Sequence, residues 1–510
     1  MLETTAPSIP GSDAPAVGEY ERNLKRVSTL LDRNWRMLID GELVDATGEA
    51  TFQISSPATE QVIARAPRAS GDDVERAVAA AVRAFPAWSQ VDPTERAERV
   101  RRIGDIIEEH KSDLALLDAV DGGAPIGVMA SDVEHSARVC RYFAGLALEM
   151  KGYSLPVSTG THFTVREPFG VVAAIVPFNH PILFAVTKLA APLVAGNCVI
   201  LKPADVTPLS ALYLAELIAT LFPPGVVQIL TSEGPDVPRA LVRHSDVARI
   251  AFTGSEKTGR SILRDAADTG VKEVTLELGG KNALIAYPDA DPVEVGSAAV
   301  RGMNFAWSGQ SCGSTSRLLV HDSIADDVIT TIRRSLQGRK IGSPLDPASA
   351  QGPLVNGLQY TRVLDYIQSA QADGAEVVAG GGRPAGQPTG YFIEPTILDR
   401  VDKAARVATE EIFGPVLSII RWSDSDDPVA IANSLPYGLT ASVFTNDVRR
   451  ALSVARALRA GYVWVNGVGQ HFIGMPFGGY KSSGQGREES IEELLSYTET
   501  KSIHIVDQRR

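Results

Sequence analysis

The residues of this chain best suited to chemistry lie between Thr275 and Arg317. Glu277 stands in Thr275-Leu276-Glu277-Leu278-Gly279-Gly280-Lys281-Asn282, and Cys312, 35 residues later, stands in Gly309-Gln310-Ser311-Cys312-Gly313-Ser314-Thr315-Ser316-Arg317. A thiol flanked by small residues leaves open approach to an electrophilic carbon, and a thioester formed on it needs a base to direct water at it. Glu277, on a short apolar strand ending in a glycine pair, has the right chemistry to be that base. Taken singly, each has an ordinary explanation: a free Cys is usually a small buried hydrophobe, and a Glu before Gly-Gly is usually a solvated strand end. Asn179, in Pro177-Phe178-Asn179-His180-Pro181, can present an amide N–H toward a pocket, the polarity an oxyanion hole requires, or can simply stabilise a turn.

The elements that must position these groups follow from hydrophobic patterning. From Phe169 onward apolar strands alternate with helices: strand 170–176, helix 182–195, strand 198–201, helix 208–221, strand 226–230, helix 236–243, strand 248–252, helix 255–267 and an extended run 271–276. Such a series predicts a parallel sheet covered by helices on both faces, with ligands at the carboxyl ends of its strands. Asn179, Lys202, Asp205, Gly254 and Glu277 all fall at such ends. A second alternating set begins with strand 283–285, helix 293–305, the Cys312 loop, strand 316–320 and helix 324–336. Before them, residues 36–66 read as short strands with a hairpin at Asp40-Gly41, followed by helices opening at Asp72-Asp73 and at Asp92-Pro93. A third helical stretch, 133–150, contains Cys140, which reads as packing. The segment 155–166 alternates Val157, Thr159, Thr161, Phe163 and Val165, and 501–506 alternates Ile503 and Ile505. Neither finds a partner inside its own βα unit.

Composition narrows the class. With 510 residues, 44% hydrophobic and 22% charged, the chain is expected to form two large units and a smaller element, as a globular protein without long disorder. A formal charge of −12 opposes a nucleic-acid or anionic-membrane partner. Three scattered cysteines without CxxC spacing predict neither a disulfide framework nor a zinc site, and point to a reducing, cytoplasmic compartment. Residues 1–19 read as a loose polar arm without a signal peptide, and the most apolar stretch, 182–201, is interrupted by Lys188, Pro192, Gly196 and Asn197 and reads as a buried helix and strand rather than a membrane span.

Glu-Leu-Gly-Gly-Lys at 277–281 followed by Gly-Gln-Ser-Cys at 309–312 resembles the aldehyde dehydrogenase superfamily, and the run from Lys188 to Asp205 is similar to that family's cofactor segment. The resemblance spans roughly Met37 to Ile505. It implies an α/β fold with a Rossmann-like cofactor domain (36–150 and 169–280), a catalytic domain (281–485), an N-terminal arm (1–35), and a β ribbon with a C-terminal tail (151–168 and 486–510) that joins subunits of a homodimer or homotetramer. It puts Asn179 at the family's oxyanion position and Lys202 on the adenine ribose. Asp205 stands where NAD-preferring members commonly have Glu; a carboxylate there accepts from a 2′-hydroxyl and repels a 2′-phosphate, so NAD is favoured with NADP left open. Gly254 and Ser255, in Gly254-Ser255-Glu256-Lys257-Thr258-Gly259, depart from GxGxxG but match the family's own variant, in which Ser255 faces the pyrophosphate. Glu411 and Phe413, in Glu410-Glu411-Ile412-Phe413-Gly414-Pro415, would sit at the nicotinamide side. The substrate tunnel would be lined by His180, Phe184, Thr187, Trp307, Ser311, His471, Phe472 and Phe477. Thr187 replaces a large aromatic of many relatives, and no Arg or Lys stands among these positions, so a bulky aromatic or long-chain aldehyde is expected over a short carboxylated one.

These groups together predict oxidation of an aldehyde to its acid through a thioester on Cys312, without a metal. Three other readings share parts of the pattern. A CoA-acylating semialdehyde dehydrogenase would make Glu277 dispensable, a cofactor-free thioesterase would leave Lys202, Ser255 and Glu411 unexplained, and a non-enzymatic binding protein would be expected to lose Cys312, Glu277 or Asn179.

Overall fold

The computed structural model describes residues 17–157 and 160–506. Residues 1–16 of the polar arm, Thr159 of the alternating segment and residues 507–510 of the tail lie outside the described residues.

Two large sheets carry the fold. The first has eight strands in the order Gly484–Gln485, Glu273–Leu278, Val247–Gly254, Val171–Ile175, Cys198–Lys202, Val227–Ile229, Met37–Ile39, Glu42–Val44. Its five central strands are parallel and its edges antiparallel. The central strands are buried on both faces, as their unbroken apolar runs require. The second sheet has seven strands in the order Glu376–Ala379, Thr396–Asp399, Val416–Trp422, Arg317–His321, Ala283–Ala286, Thr440–Phe444, Tyr462–Val465, parallel except at the first pair. Gly484–Gln485, which the sequence reading groups with the second half, crosses back to pair with Leu276 and Glu277 of the first sheet.

The two alternating segments without local partners pair with each other. Thr498–Val506 runs antiparallel along Gly160–Pro168 over nine residue pairs, and Ser154–Leu155 adds a third strand. Each lacked a partner in its own βα unit because the partner lies more than 300 residues away.

The N-terminal arm requires correction. Val17–Leu31 is an amphipathic helix, not an arm, and buries Val27 and Leu30 in the core of the first sheet's layer. The helix expected over 133–150 runs instead from Ile126 to Gly145, begun after Pro125, and ends in a short 3₁₀ turn, Ala147–Glu149. The Asp92-Pro93 start is as expected: the Asp92 carboxylate accepts from Thr94 N at 2.8 Å at the head of Pro93–Glu109.

Helix Lys111–Gly122 holds the site-bearing helices in place with buried carboxyls. Asp118 accepts from Ile182 N at 3.1 Å, in the first turn of Pro181–Ala195, and Asp121 accepts from Leu209 N at 3.2 Å, at the head of Leu209–Ile218. Burial raises both carboxyls, Asp118 to about 7. Pro181 opens its helix directly after His180, and Gly196 closes it at φ 98°, so the Asn179 turn hangs between the end of Val171–Ile175 and a helix fixed at both ends.

Candidate active site

Cys312 sits on a loop whose backbone is unusually constrained. After helix Pro292–Gly302, Asn304 (φ 54°) and Ser308 (φ 53°) adopt left-handed conformations around the short turn Phe305–Trp307. Non-glycine residues hold that conformation at a cost of about 1 kcal/mol or more each, so the surroundings must enforce it. Gly309 follows at φ 69°, where a Cβ would come within 2.1 Å of Gly414 O. Ser308 Oγ donates to Gly352 O at 2.6 Å, and the Gln310 carboxamide accepts from Val355 N at 3.1 Å. On the far side the Asn282 carboxamide donates to Cys312 O at 2.6 Å and Ser314 O at 3.0 Å, and accepts from Thr440 N at 3.0 Å. The thiol is thereby fixed at the head of strand Arg317–His321. Gly313 leaves open space where a side chain would stand, as the small-residue reading of the loop requires.

Glu277 reaches the same point from the other sheet. It lies in Glu273–Leu278, in register with Thr253 on one side and Gly484 on the other, and is 2% exposed. Neither carboxyl oxygen has a hydrogen bond of normal geometry, although the carboxyl and the Cys312 thiol interact. Burial pushes Glu277 up to about 8, with the nearby Glu488 adding to the shift. Burial, then the adjacent Glu277, pushes the Cys312 thiol well above its ordinary value. With no other group bound, the pair is therefore neutral near pH 7, with a proton on each residue.

Two cavities open from this pair. The first encloses about 620 Å³ including its mouth, and its walls bring together Asn179, Gly254, Ser255, Glu277, Cys312, Glu411 and Phe413. Asn179 is 7% exposed, and its carboxamide has no hydrogen-bond partner among the described residues, so the donor is unspent. Ser255 caps helix Glu256–Thr269, accepting from Thr258 N at 3.3 Å. Glu411 accepts from Gly280 N at 3.0 Å and lies so close to Gly279 that a Cβ there would sit 2.0 Å from its Oε2. The glycine pair after Glu277 is thus the seat of Glu411. Phe413 holds φ 58° and sets its ring edge-on to Phe178 at 5.7 Å. Lys202 and Asp205 do not line this cavity. Lys202 ends the strand paired to Val171–Ile175, buried, and burial lowers its ammonium; Asp205 accepts from Gly234 N at 3.3 Å.

The second cavity, about 1370 Å³ with its mouth, shares Phe184, Glu277 and Cys312 with the first. His180, Phe184, Thr187, Trp307, Ser311, His471 and Phe477 all line it. Phe472 does not; it is 51% exposed. Sequence reasoning missed the wall supplied by helix Ile126–Gly145: Asp132, His135 and Arg138. Arg138 adds a cationic side chain outside the positions named from the sequence. Glu488 and Glu489 were also missed. Glu488 pairs with Lys188, a lysine only 1% exposed, and this pair faces Glu277. The local signal was the charge-dense Arg487-Glu488-Glu489 after a glycine-rich turn, which reads equally as a solvated loop. Among the described residues no group of three or more His, Cys, Asp or Glu is arranged to hold a metal ion, and no helix is long and apolar enough to cross a membrane.

A half-buried thiol and a buried carboxyl, shared by one cavity with helix-end amides and a carboxylate acceptor and another with aromatic walls, suit covalent chemistry between two ligands. Comparison with known proteins gives the family. The aldehyde dehydrogenase tropH of Talaromyces stipitatus is 43% identical over 493 residues, covering 95% of each chain. The NAD+ complex of an aldehyde dehydrogenase from Bacillus cereus superposes with a TM-score of 0.91 at 38% identity, over 94% of this chain and 98% of that one. The indole-3-acetaldehyde dehydrogenase AldA of P. syringae, solved with NAD+ and IAA, gives 0.91 at 36% identity over 95% and 99%. The sequence model of the aldehyde dehydrogenase family matches residues 43–503, and the chain belongs to that family.

Proposed function

We propose that the protein oxidises a bulky, aromatic or long-chain aldehyde to its carboxylic acid, with NAD as cofactor and Cys312 as the nucleophile. The observation that carries the reading is the meeting of two cavities at Cys312 and Glu277. The first cavity's residues fit a dinucleotide. A Cβ at Gly254 would collide with the Phe252 ring at 2.5 Å, so the backbone there stays bare beside the amides of a capped helix, which favour phosphate. Glu411 has a carboxyl oxygen to spare for a ribose hydroxyl, with Phe413 beside it, while Lys202 and Asp205 stand at the strand end beyond Val171–Ile175 for the adenine ribose. When bound, NAD would accept a hydride from the substrate carbon.

The protein's own groups do the rest. Glu277, which ionises near 8, takes the Cys312 proton as sulfur attacks the aldehyde carbon. The Asn179 amide and the Cys312 backbone N–H receive the oxyanion, a pair of donors whose removal typically costs about 10²–10³ in rate each. Once the carbon is oxidised to a thioester on Cys312, Glu277 directs water at it and the acid leaves. The Lys188–Glu488 pair beside Glu277 offers its proton a way out. Phe143, Phe184, Trp307, Trp464 and Phe477 supply an aromatic wall for a large substrate, and the AldA complex is a relative whose named substrate is aromatic. Arg138 gives a second reading, a carboxylated aldehyde, its one support; Asp132 and Glu489 in the same cavity oppose it. The three-stranded ribbon, with Leu155, Ile505 and Val506 exposed, would join copies of the chain into a dimer or tetramer in the cytoplasm.

The test is NADH or NADPH formation with aromatic, aliphatic and acidic aldehydes, run beside Cys312→Ala. The proposal expects turnover of bulky aldehydes with NAD and none in the variant. Succinic semialdehyde outperforming aromatic aldehydes in kcat/KM would overturn the substrate class.

A further inference from the structure

Two imidazoles in the second cavity are braced in the same way. His180 Nδ1 lies 2.8 Å from Asp132 Oδ2, and His471 Nδ1 lies 2.9 Å from Glu489 Oε1. A carboxylate only accepts, so Nδ1 of each ring carries the hydrogen and Nε2 of the neutral ring is left as an acceptor; against the opposing effect of burial, Glu489 raises the His471 imidazole above its ordinary value, so His471 offers that acceptor on the alkaline side of its titration. Neither Nε2 has a hydrogen-bond partner among the described residues, and neither is sealed from solvent. Aromatic neighbours fix the ring planes. Trp307 lies 5.2 Å from His180, while Phe477 lies 4.6 Å from His471 and Tyr462 stacks on it at 5.7 Å and 17°. The cavity thus presents two oriented acceptors on otherwise aromatic walls.

Its carboxylates are held from within the wall. Asp132 and Glu489 are engaged by the imidazoles, Glu488 by Lys188, and Arg138 stands 3.5 Å from the His135 ring. Burial holds Glu277 and Glu493 protonated up to about 8. With the imidazoles neutral, the Asp132 and Glu489 carboxylates oppose an anionic substrate, whereas a flat, neutral molecule with a hydrogen to donate would find both walls and acceptors.

We propose that His180 and His471 make the cavity selective for hydroxylated aryl aldehydes, their Nε2 atoms accepting hydrogen bonds from ring hydroxyls of the substrate. This deepens the dehydrogenase reading and rests on it. A site built around such a bond penalises the analogue that lacks it, by about tenfold for one neutral bond.

The experiment compares kcat/KM for 3-hydroxy-, 4-hydroxy- and 3,4-dihydroxybenzaldehyde with their methyl isosteres, on the full chain with NAD, for the wild type, His180→Phe and His471→Phe. In the wild type the best hydroxyl compound is expected to exceed its isostere about tenfold or more, and in each variant that ratio is expected to fall toward one. His471→Gln, which keeps an acceptor, is expected to retain part of it. A purely structural role would lower both substrates together and leave the ratio unchanged, which overturns the proposal. A wild-type ratio near one overturns it without any variant, as does a cationic aldehyde outperforming the hydroxyl series. NADH formed alike from methyl and hydroxyl compounds counts against this proposal only; no NADH from any aldehyde overturns it together with the reading beneath it.

Discussion

Replacing Glu277 by Gln removes a charge from a buried position while preserving its shape, and the consequences for stability and catalysis can be worked separately. In the folded chain Glu277 keeps its proton up to about 8, whereas an unfolded glutamate gives it up near 4.5. The folded value is raised, so the stability this carboxyl contributes is fully present below pH 4.5 and is lost as pH rises through about 8. Each pH unit in that window costs about 1.4 kcal/mol, so by about pH 7.5 the wild type has lost on the order of 4 kcal/mol as an upper bound, and about half that after local relaxation. The carboxamide that replaces the acid would not titrate. The variant should therefore match the wild type near pH 4.5 and exceed it at about pH 7.5, with Tm gaining a few degrees between the two conditions. Differential scanning fluorimetry across that range reads this directly. Stopped-flow absorbance reads the catalytic half: one NADH per active site should form, more slowly than in the wild type because the group that takes the Cys312 proton is gone, and turnover should then stall by about 10²-fold or more, because no base remains to direct water. The wild-type rate should itself climb with pH through about 8 as Glu277 ionises. A Tm difference that does not change with pH, together with undiminished steady-state turnover, would refute the assignment of Glu277 as a buried base.

Other substitutions test the remaining parts of the site. If the unspent Asn179 amide serves the oxyanion as proposed, Asn179→Ala should lower kcat by about 10²–10³ with a smaller change in KM; equal kcat would exclude that role. Gly279→Ala places a Cβ 2.0 Å from Glu411 Oε2, so Glu411 must move, and KM for NAD should rise about tenfold while that for aldehyde changes little; isothermal titration with NAD checks the binding half. Thr187→Trp fills the second cavity beside Phe184 and should lower kcat/KM for bulky aldehydes at least about tenfold relative to acetaldehyde.

Much of this architecture was legible because its chemistry is concentrated at strand ends, where Gly, Pro and Asn mark the chain. The apolar runs of Val171–Ile175 and Cys198–Lys202 announced a doubly covered parallel sheet; the Glu277 word sits at a strand end of that sheet and the Cys312 word just before a strand of the second. What could not be read depended on distant packing. Helix Val17–Leu31 is polar on most of its surface, and only the docking of Val27 and Leu30 reveals its inner face. Asp132, His135 and Arg138 reach the cavity because helix Ile126–Gly145 packs along Pro181–Ala195, a contact that nothing local to either segment encodes. Glu489 does so from a backbone held at φ 62°, and the ribbon's register pairs His162 with His504 across 342 residues.

The central claim is that carbon is transferred to Cys312 and released by Glu277. Intact-mass and peptide mass spectrometry of Glu277→Gln, incubated with NAD and a bulky aldehyde until its slowed NADH formation has ended and then quenched in acid, tests it most directly. The account predicts one acyl group per chain, on the peptide containing Cys312, and none in the Cys312→Ala, Glu277→Gln double variant. No adduct, or an adduct on Cys140 or Cys198, both buried away from the two cavities, would contradict it.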